Sequence, residues 1–320
     1  MPSPNSTFTE LVSTTFRDHR KEIKNNISNR NAMLSYMKKR GNQSTVDGGL
    51  SLTVPLDYNA NGTYQRYSDW DSLNISASDV ISSAEYQWRQ IAINVVASGR
   101  ELRSNSGKNA FISLAKAKMK NAIRTFENNF SSDLYSSGSL SNQVNGLQAI
   151  VADVNTNTVG GINASDWAFW QNKVFDCSVN SVTASATTIE TSIMLPLWLQ
   201  LDRGPSDCPD LIVSDNNFYQ YFEGSQVSLK RYASSDNVNA GFASIKYKSA
   251  DVIYDGNSGI PSNHMYMLNT EYLKLIVHKD ADLTEVPEQR PVNQDGAVIP
   301  ILWMGNLTCS NRSQQGVIIL

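Results

Sequence analysis

The chain has 320 residues, 18 per cent of them charged, and a formal net charge of −3 at pH 7. Single cores stop growing at roughly 250–300 residues, so this length predicts two lobes. The balance excludes a wholesale basic nucleic-acid coat, but residues 1–40 hold eight Lys/Arg against Glu10, Asp18 and Glu22, a net of +5 that leaves −8 for the rest.

In chain order, "ELVSTTFRDHRKEI" and "NRNAMLSYMKKR" predict two helices in a basic arm with little apolar surface for a core of its own. Gly41 and the polar run "GNQSTVDGG" end it. The start, "MPSPNSTFTELV", has no charged region followed by an apolar one, so no secretion signal or membrane span is expected. Next, Leu50, Leu52, Val54, Leu56 and Tyr58 fall on every second residue, the period of a half-buried strand. Asn61-Gly62 is a hairpin-turn signal, and Tyr64, Tyr67 and Trp70 follow on the expected return arm. The reading is a hairpin of about ten residues per arm, which is marginal alone and needs a surface to cover its apolar face.

"AEYQWRQIAINVVASG" (84–99) predicts a long strand, bulged near Arg89-Gln90 and closed by Gly99. A long helix follows, with Ser106 as N-cap and Gly138 as stop. Its apolar stripe is Phe111, Leu114, Ala115, Met119, Ala122, Phe126, Phe130 and Leu134, and Lys116, Lys120 and Arg124 form a basic row on another face. That row reads as a solvated face or as a contact for a polyanion. Trp167, Phe169 and Trp170 cluster in "DWAFWQNKVF". "TTIETSIMLPLWLQLDRG" predicts a helix capped at Thr187 or Thr188 that Pro196 kinks or ends. After it, "DLIVSD", "FASIKYKSADVIYD", "MYMLNTEYLKLIVH", "AVIPILWMGNLTCS" and "QGVIIL" read as strands and "NNFYQYFEGSQ" as a short helix. The class is α+β.

Little points to chemistry. Cys177, Cys208 and Cys309 are odd in number, scattered and outside any Cys-x-x-Cys spacing, which argues for reduced thiols and no zinc site. "GRELRSNSGKN" is too long for a phosphate loop and has Asn109 where Ser or Thr must hold magnesium. Only three histidines occur, so a histidine metal site is not expected. A triad of Ser258, His264 and an aspartate lacks a nucleophile-elbow context. The acid pairs Asp251/Asp255 and Asp280/Asp282 read as surface carboxylates. Nine Asn-x-Ser/Thr sequons read as chance in an Asn-rich chain. No enzyme activity and no cofactor are expected.

The order of elements carries more. A basic arm leads through "DGG" to a long hairpin, "AEYQW", and the helix "NSGKNAFISLAKAKMKNAI". "GLQAIV", "GGI" and the aromatic run with Trp170 follow, then "TTIETSIMLPLW", "PDLIVSD" and "NNFYQYFEG". The chain closes with "GFASIKYKSADVIYDGNSGIP", "MYMLNTEYLKL" and "WMGNLTCSNRSQQGVI". From about residue 11 to 320 this resembles the major capsid protein of tailed phages, the Hong Kong 97-type fold. No single motif is diagnostic.

The resemblance implies an N-terminal arm at 1–44, an extended loop at 45–77 lying over the adjacent subunit, and a peripheral domain at 78–184 with a spine helix at 106–137. It further implies an axial domain at 185–284 and C-terminal strands at 285–320 returning to the peripheral domain. Leu52, Val54, Leu56, Tyr58, Tyr64, Tyr67 and Trp70 would then be inter-subunit contacts, bare within their own subunit. Arg17, Arg20, Lys21, Lys24, Lys116, Lys120 and Arg124 would meet the arm's surroundings or packaged double-stranded DNA in the interior. The partners implied are further copies of the chain in homo-pentamers and homo-hexamers, a separate scaffolding protein, a portal and a decoration protein, in a virion assembled in a host bacterial cytoplasm. Because the arm starts almost at Met1, no cleaved scaffolding segment is expected. Some relatives crosslink their shells through a loop lysine, but here no lysine occurs between Arg40 and Lys108. Two other readings compete: a nucleic-acid-binding protein using the basic arm, and a carbohydrate-binding or hydrolytic protein using exposed Trp and Tyr.

Overall fold

The computed structural model describes residues 31–104, 108–205, 207–226, 244–255, 259–290 and 293–320. In chain order the elements are α1 (Ala32–Lys39), β1 (Gln43–Val46), β2 (Leu52–Asp57), β3 (Ile81–Tyr86), β4 (Arg89–Ser98), α2 (Gly99–Ser104), α3 (Lys108–Asp133) and α4 (Leu147–Ile150). Then come β5 (Thr158–Val159), β6 (Ile162–Asn163), β7 (Lys173–Asp176), a π-helical stretch (Ile189–Met194) that runs into α5 (Leu195–Leu201), β8 (Leu211–Ser214) and α6 (Asn216–Ser225). The remainder is β9 (Ser244–Tyr247), β10 (Ala250–Tyr254), β11 (His264–Leu268), β12 (Leu273–Glu285), β13 (Gly296–Cys309) and β14 (Gly316–Ile319).

Two sheets organise these elements. The first is four-stranded, in the order β1-β12-β13-β4, with β13 and β4 antiparallel from Gly296↔Ser98 to Gly305↔Arg89. Met119, Phe126 and Phe130 on α3 share one core with Val95, Ala97, Ile299, Ile301 and Trp303 of this sheet. Phe130 meets the Trp303 ring edge-on at 4.8 Å, a favoured aromatic geometry. The second sheet is six-stranded, in the order β7-β14-β11-β8-β10-β9. Strand alternation sends Leu211 and Val213 of β8 into the α3 core, and Ile212 into a second core with the π stretch, α5 and α6. A strand buried on both faces reads as a continuous apolar run, as "LIV" does.

Several expectations need correcting. Residues 31–44 are not a loosely attached arm. Asn31 Oδ1 caps α1 by accepting from Leu34 N–H at 2.8 Å, and Met33, Leu34 and Met37 are buried in the α3 core. Each such side chain contributes about 1.5–3 kcal/mol of burial. The Tyr36 hydroxyl donates to the Asp210 carbonyl at 3.0 Å, and β1 pairs in parallel with β12, so this segment ties both sheets together. The rest of the arm, including Arg17, Arg20, Lys21 and Lys24, lies outside the described residues, as do Ser106 and Ser258. The expected boundary at 284/285 falls inside β12, which belongs to the four-stranded sheet, while β14 returns to the six-stranded one.

Helix α3 ends at Asp133, and Gly138 follows beyond it in a left-handed turn (φ +67°). Pro196 does not end the helical run, which continues to Leu201. The π stretch closes with the Leu195 N–H on the Glu190 carbonyl, so the proline falls in the first turn of α5, where a missing N–H costs nothing. The predicted strand at 84–99 is two strands, broken at Gln87-Trp88, and its halves belong to different sheets. Asp255 is buried and accepts a hydrogen bond from the Tyr135 hydroxyl, so it is no surface carboxylate.

Candidate assembly surface

The first half of the loop region is a two-stranded ribbon. Strand β2 pairs antiparallel with β3, from Leu52↔Tyr86 to Asp57↔Ile81, and not with the segment carrying Tyr64, Tyr67 and Trp70. The reason is periodic. Those three aromatics are spaced three apart, so they cannot share one face of a strand, whereas Ala84 and Tyr86 can. Pro55 is tolerated because a two-stranded ribbon is all edge.

The ribbon's apolar face is covered within its own chain. Leu52, Leu56, Ala84 and Tyr86 pack with Val159, Ala164 and Trp170, and Val54 packs at the margin. Tyr58 sits 5.8 Å from the Trp167 ring and 5.7 Å from Phe169, which in turn contacts Trp170. The expectation that this face is bare therefore fails for Leu52 and Leu56, which have no surface left for a neighbour. The cover comes from the β5–β6 turn and the short 3-10 helix at Ala168–Trp170. Gly160 in that turn has φ +60°, its carbonyl accepts from Glu85 N–H at 2.9 Å, and a Cβ there would lie 2.9 Å from Ala84 Cβ.

Two buried polar groups hold the cover in place. Arg312 is fully buried and donates to the Ile150 carbonyl at 2.7 Å and to the side chains of Asn157 (2.7 Å) and Asn172 (3.0 Å). Burial pushes its pKa down, against a smaller upward pull from Cys309 and Tyr86. The Tyr86 hydroxyl donates to the Cys309 carbonyl at 2.9 Å, and burial pushes that phenol up. Cys177 and Cys309 are buried free thiols, raised by burial to about 11 and about 12, so they are unreactive near neutral pH.

Beyond Tyr58 the chain leaves this support. Residues 58–80 form an arch without strands, held by side chains: Gln65 Oε1 accepts from Asn74 N–H at 2.9 Å, and Gln65 Nε2 donates to the Ser72 carbonyl at 3.0 Å. The Asn61 carbonyl accepts from Tyr64 N–H, so the predicted turn exists but reverses no ladder. At the foot of the arch the Tyr58 N–H donates to the Val80 carbonyl at 3.1 Å. Partial desolvation and the Asp79 carboxylate raise the Tyr58 pKa. Above this, Tyr64 is 82 per cent exposed, Trp70 99 per cent and Ile75 93 per cent, with Tyr67 and Leu73 also exposed. So many large apolar groups together on one projection make it a candidate interaction surface.

A second candidate surface lies on α3, where Lys116, Lys120 and Arg124 are exposed as a row opposite the buried Met119, Ala122 and Phe126. Sequence reasoning missed Arg312, Gly160 and the core role of α1. A sequence signal for the last was available in the apolar spacing of Met33, Leu34 and Met37. Among the described residues no group of three His, Cys, Asp or Glu could hold a metal ion, and no helix is long and apolar enough to cross a membrane.

No protein-family model matches the sequence, and no curated protein matches it. Solved structures do. The capsid asymmetric unit of cyanophage A-1(L) superposes with a TM-score of 0.59 at 15 per cent identity, over 84 per cent of this chain and 86 per cent of that one. The capsid of an empty GTA particle gives 0.56 at 13 per cent, over 88 per cent of each chain. The encapsulin SrpI complex of Synechococcus elongatus gives 0.54 at 10 per cent, over 87 and 84 per cent. The fold is the α+β capsid fold of the Hong Kong 97 type.

Proposed function

We propose that the chain is a structural major capsid protein, assembling through homo-pentamers and homo-hexamers into an icosahedral phage head around double-stranded DNA. The observation that carries this reading is the bare apolar arch, Tyr64 to Ile75, on a capsid fold. An apolar projection with no core beneath it is stable in water only when another surface covers it, and in a closed symmetric shell every copy supplies that surface to the next. Trp70, Tyr64 and Tyr67 are of the types that dominate interface energetics. Val54 and Tyr58 would contribute at the foot of the arch.

The row of Lys116, Lys120 and Arg124, with Arg17, Arg20, Lys21 and Lys24, would face the interior and meet DNA non-specifically, neutralising phosphate without reading sequence. This row favours a nucleic-acid-filled shell over an encapsulin-like one. A sugar-binding role suits the geometry less, because the exposed aromatics stand on an arch and do not line a cleft. A separate scaffolding protein, a portal and a decoration protein complete the proposed partners, and the role is structural and non-enzymatic. With no lysine between Arg40 and Lys108, the arch carries no amine for an isopeptide bond, and the shell is held by many modest contacts.

Electron microscopy of the purified full chain tests the reading. Closed shells or five- and six-membered rings are expected, and a monomer at every concentration and salt would overturn it. Boiling assembled particles in detergent without reductant should return one band near 35.4 kDa. A ladder surviving that treatment would show covalent crosslinks.

A further inference from the structure

Asn61, at the start of the arch, has a side-chain oxygen held by several donors. Its side-chain Oδ1 accepts three hydrogen bonds: from Thr63 N–H at 3.0 Å, Thr63 Oγ1 at 2.7 Å and Ser78 Oγ at 3.2 Å. The next residue, Gly62, is exposed, and a Cβ placed on it would meet nothing within 4 Å. Its carbonyl accepts from Asn74 Nδ2 at 3.2 Å, which fixes the peptide following it. When a nucleophile attacks an amide carbon, negative charge develops on the amide oxygen, and donors already aimed at that oxygen stabilise the transition state. The nucleophile closest in the chain is the Gly62 backbone nitrogen. Its attack on Asn61 Cγ closes a five-membered ring, and no side chain on Gly62 obstructs it.

We propose that Asn61 is a self-modifying site that converts to aspartate and isoaspartate through a cyclic imide with Gly62. The Gly62 nitrogen gives its proton to hydroxide and forms the bond to Asn61 Cγ. The Cγ–Nδ2 bond breaks, and the nitrogen takes a proton from water and leaves as ammonia. Water then adds to either carbonyl of the ring and reopens it, giving aspartate or isoaspartate. One water is consumed, one ammonia is released, and nothing is oxidised or reduced. Each conversion places a new carboxylate on the arch, which is exposed in the unassembled chain, so that surface changes charge with the age of the free subunit.

The chain carries its own comparisons. Asn74 Oδ1 accepts from Ser76 N–H (3.0 Å) and Ser76 Oγ (2.6 Å), and Asn163 Oδ1 from Ser165 N–H (3.2 Å) and Ser165 Oγ (2.9 Å). These are the same kind of turn, but Ile75 and Ala164 follow, and their Cβ atoms crowd the attack. The other Asn-Gly pair, Asn145-Gly146, is enclosed: a Cβ on Gly146 would lie 2.2 Å from Ser136 N, and Asn145 N–H is held by Asn306 Oδ1 at 2.9 Å.

The test ages the full-length chain in mildly alkaline buffer made with heavy-oxygen water and maps its peptides by mass spectrometry with separation of isoaspartate. Asn61 is expected to convert severalfold faster than Asn74, Asn145 and Asn163, and faster in the folded chain than in the same chain unfolded in urea. Thr63→Val removes the shortest donor and should slow Asn61 severalfold without altering Asn145, with circular dichroism confirming an unchanged fold. An Asn61 no faster than the other three, or a rate unmoved or raised by both unfolding and Thr63→Val, would overturn the proposal.

Discussion

The ribbon β2–β3 and the arch above it come from one continuous stretch with similar apolar content, yet they meet opposite fates. Leu52, Leu56 and Tyr86 are buried in their own chain, while Tyr64, Trp70 and Ile75 stand in solvent. The difference is not hydrophobicity but reach. The ribbon lies over a platform, Val159 to Trp170, contributed from about a hundred residues further along the chain, and the arch extends past its edge. An apolar face is therefore a demand for cover, and only the three-dimensional path says whether the same chain or another copy meets it.

Substitutions in the two regions should separate cleanly. The largest loss of subunit stability is expected for Trp170→Ala, which removes the centre of the platform and costs about 3–5 kcal/mol by urea unfolding. A cost below that of a surface change would show that the ribbon is not held from below. Gly160→Ala should cost roughly 1–3 kcal/mol, since it forces a side chain into a left-handed turn and against Ala84. Here retention of the wild-type midpoint would mean that the platform can shift away from the ribbon.

Trp70→Ala should leave the unfolding free energy within about 0.5 kcal/mol, because a fully exposed side chain loses no packing within the subunit. Its effect belongs to assembly, read as a lower yield of shells at equal protein concentration. Equal loss of monomer stability would place Trp70 in an intramolecular core and erase the contrast between ribbon and arch.

A pH-dependent effect concerns the far anchor of the platform. His264 on β11 approaches Asp153 at 3.1 Å, just upstream of the platform segment. Desolvation pulls the His264 pKa down, but the Asp153 hydrogen bond and charge, with the Ser262 carbonyl and the Asp215 charge, outweigh it and the net shift is upward. A raised histidine pKa means that the folded state holds the proton more tightly, so the contribution is fully present below the unfolded value near 6.5 and is lost as pH rises through the folded value. Asp153→Asn should therefore lower stability by under about 1 kcal/mol in mild acid, and converge on wild type in mild alkali. Parallel profiles for the two proteins would remove the pair from the account.

Much of the fold is written locally. The long helix α3 follows from its apolar stripe, α6 from Asp215, whose side chain accepts from Phe218 N–H at 3.0 Å, and the C-terminal strands from their alternation. The absence of lysine from the loop and the clustering of its aromatics are also plain in the sequence, because composition needs no partner to be read. The tertiary structure alone decided which strand pairs with Leu52–Asp57, since periodicity names a face but not its neighbour. It alone buried Arg312 among Asn157 and Asn172, and turned Asp255 from a surface carboxylate into the acceptor of Tyr135. Each of these depends on contacts between residues far apart in the chain, and such contacts leave no mark on the spacing of their neighbours in sequence.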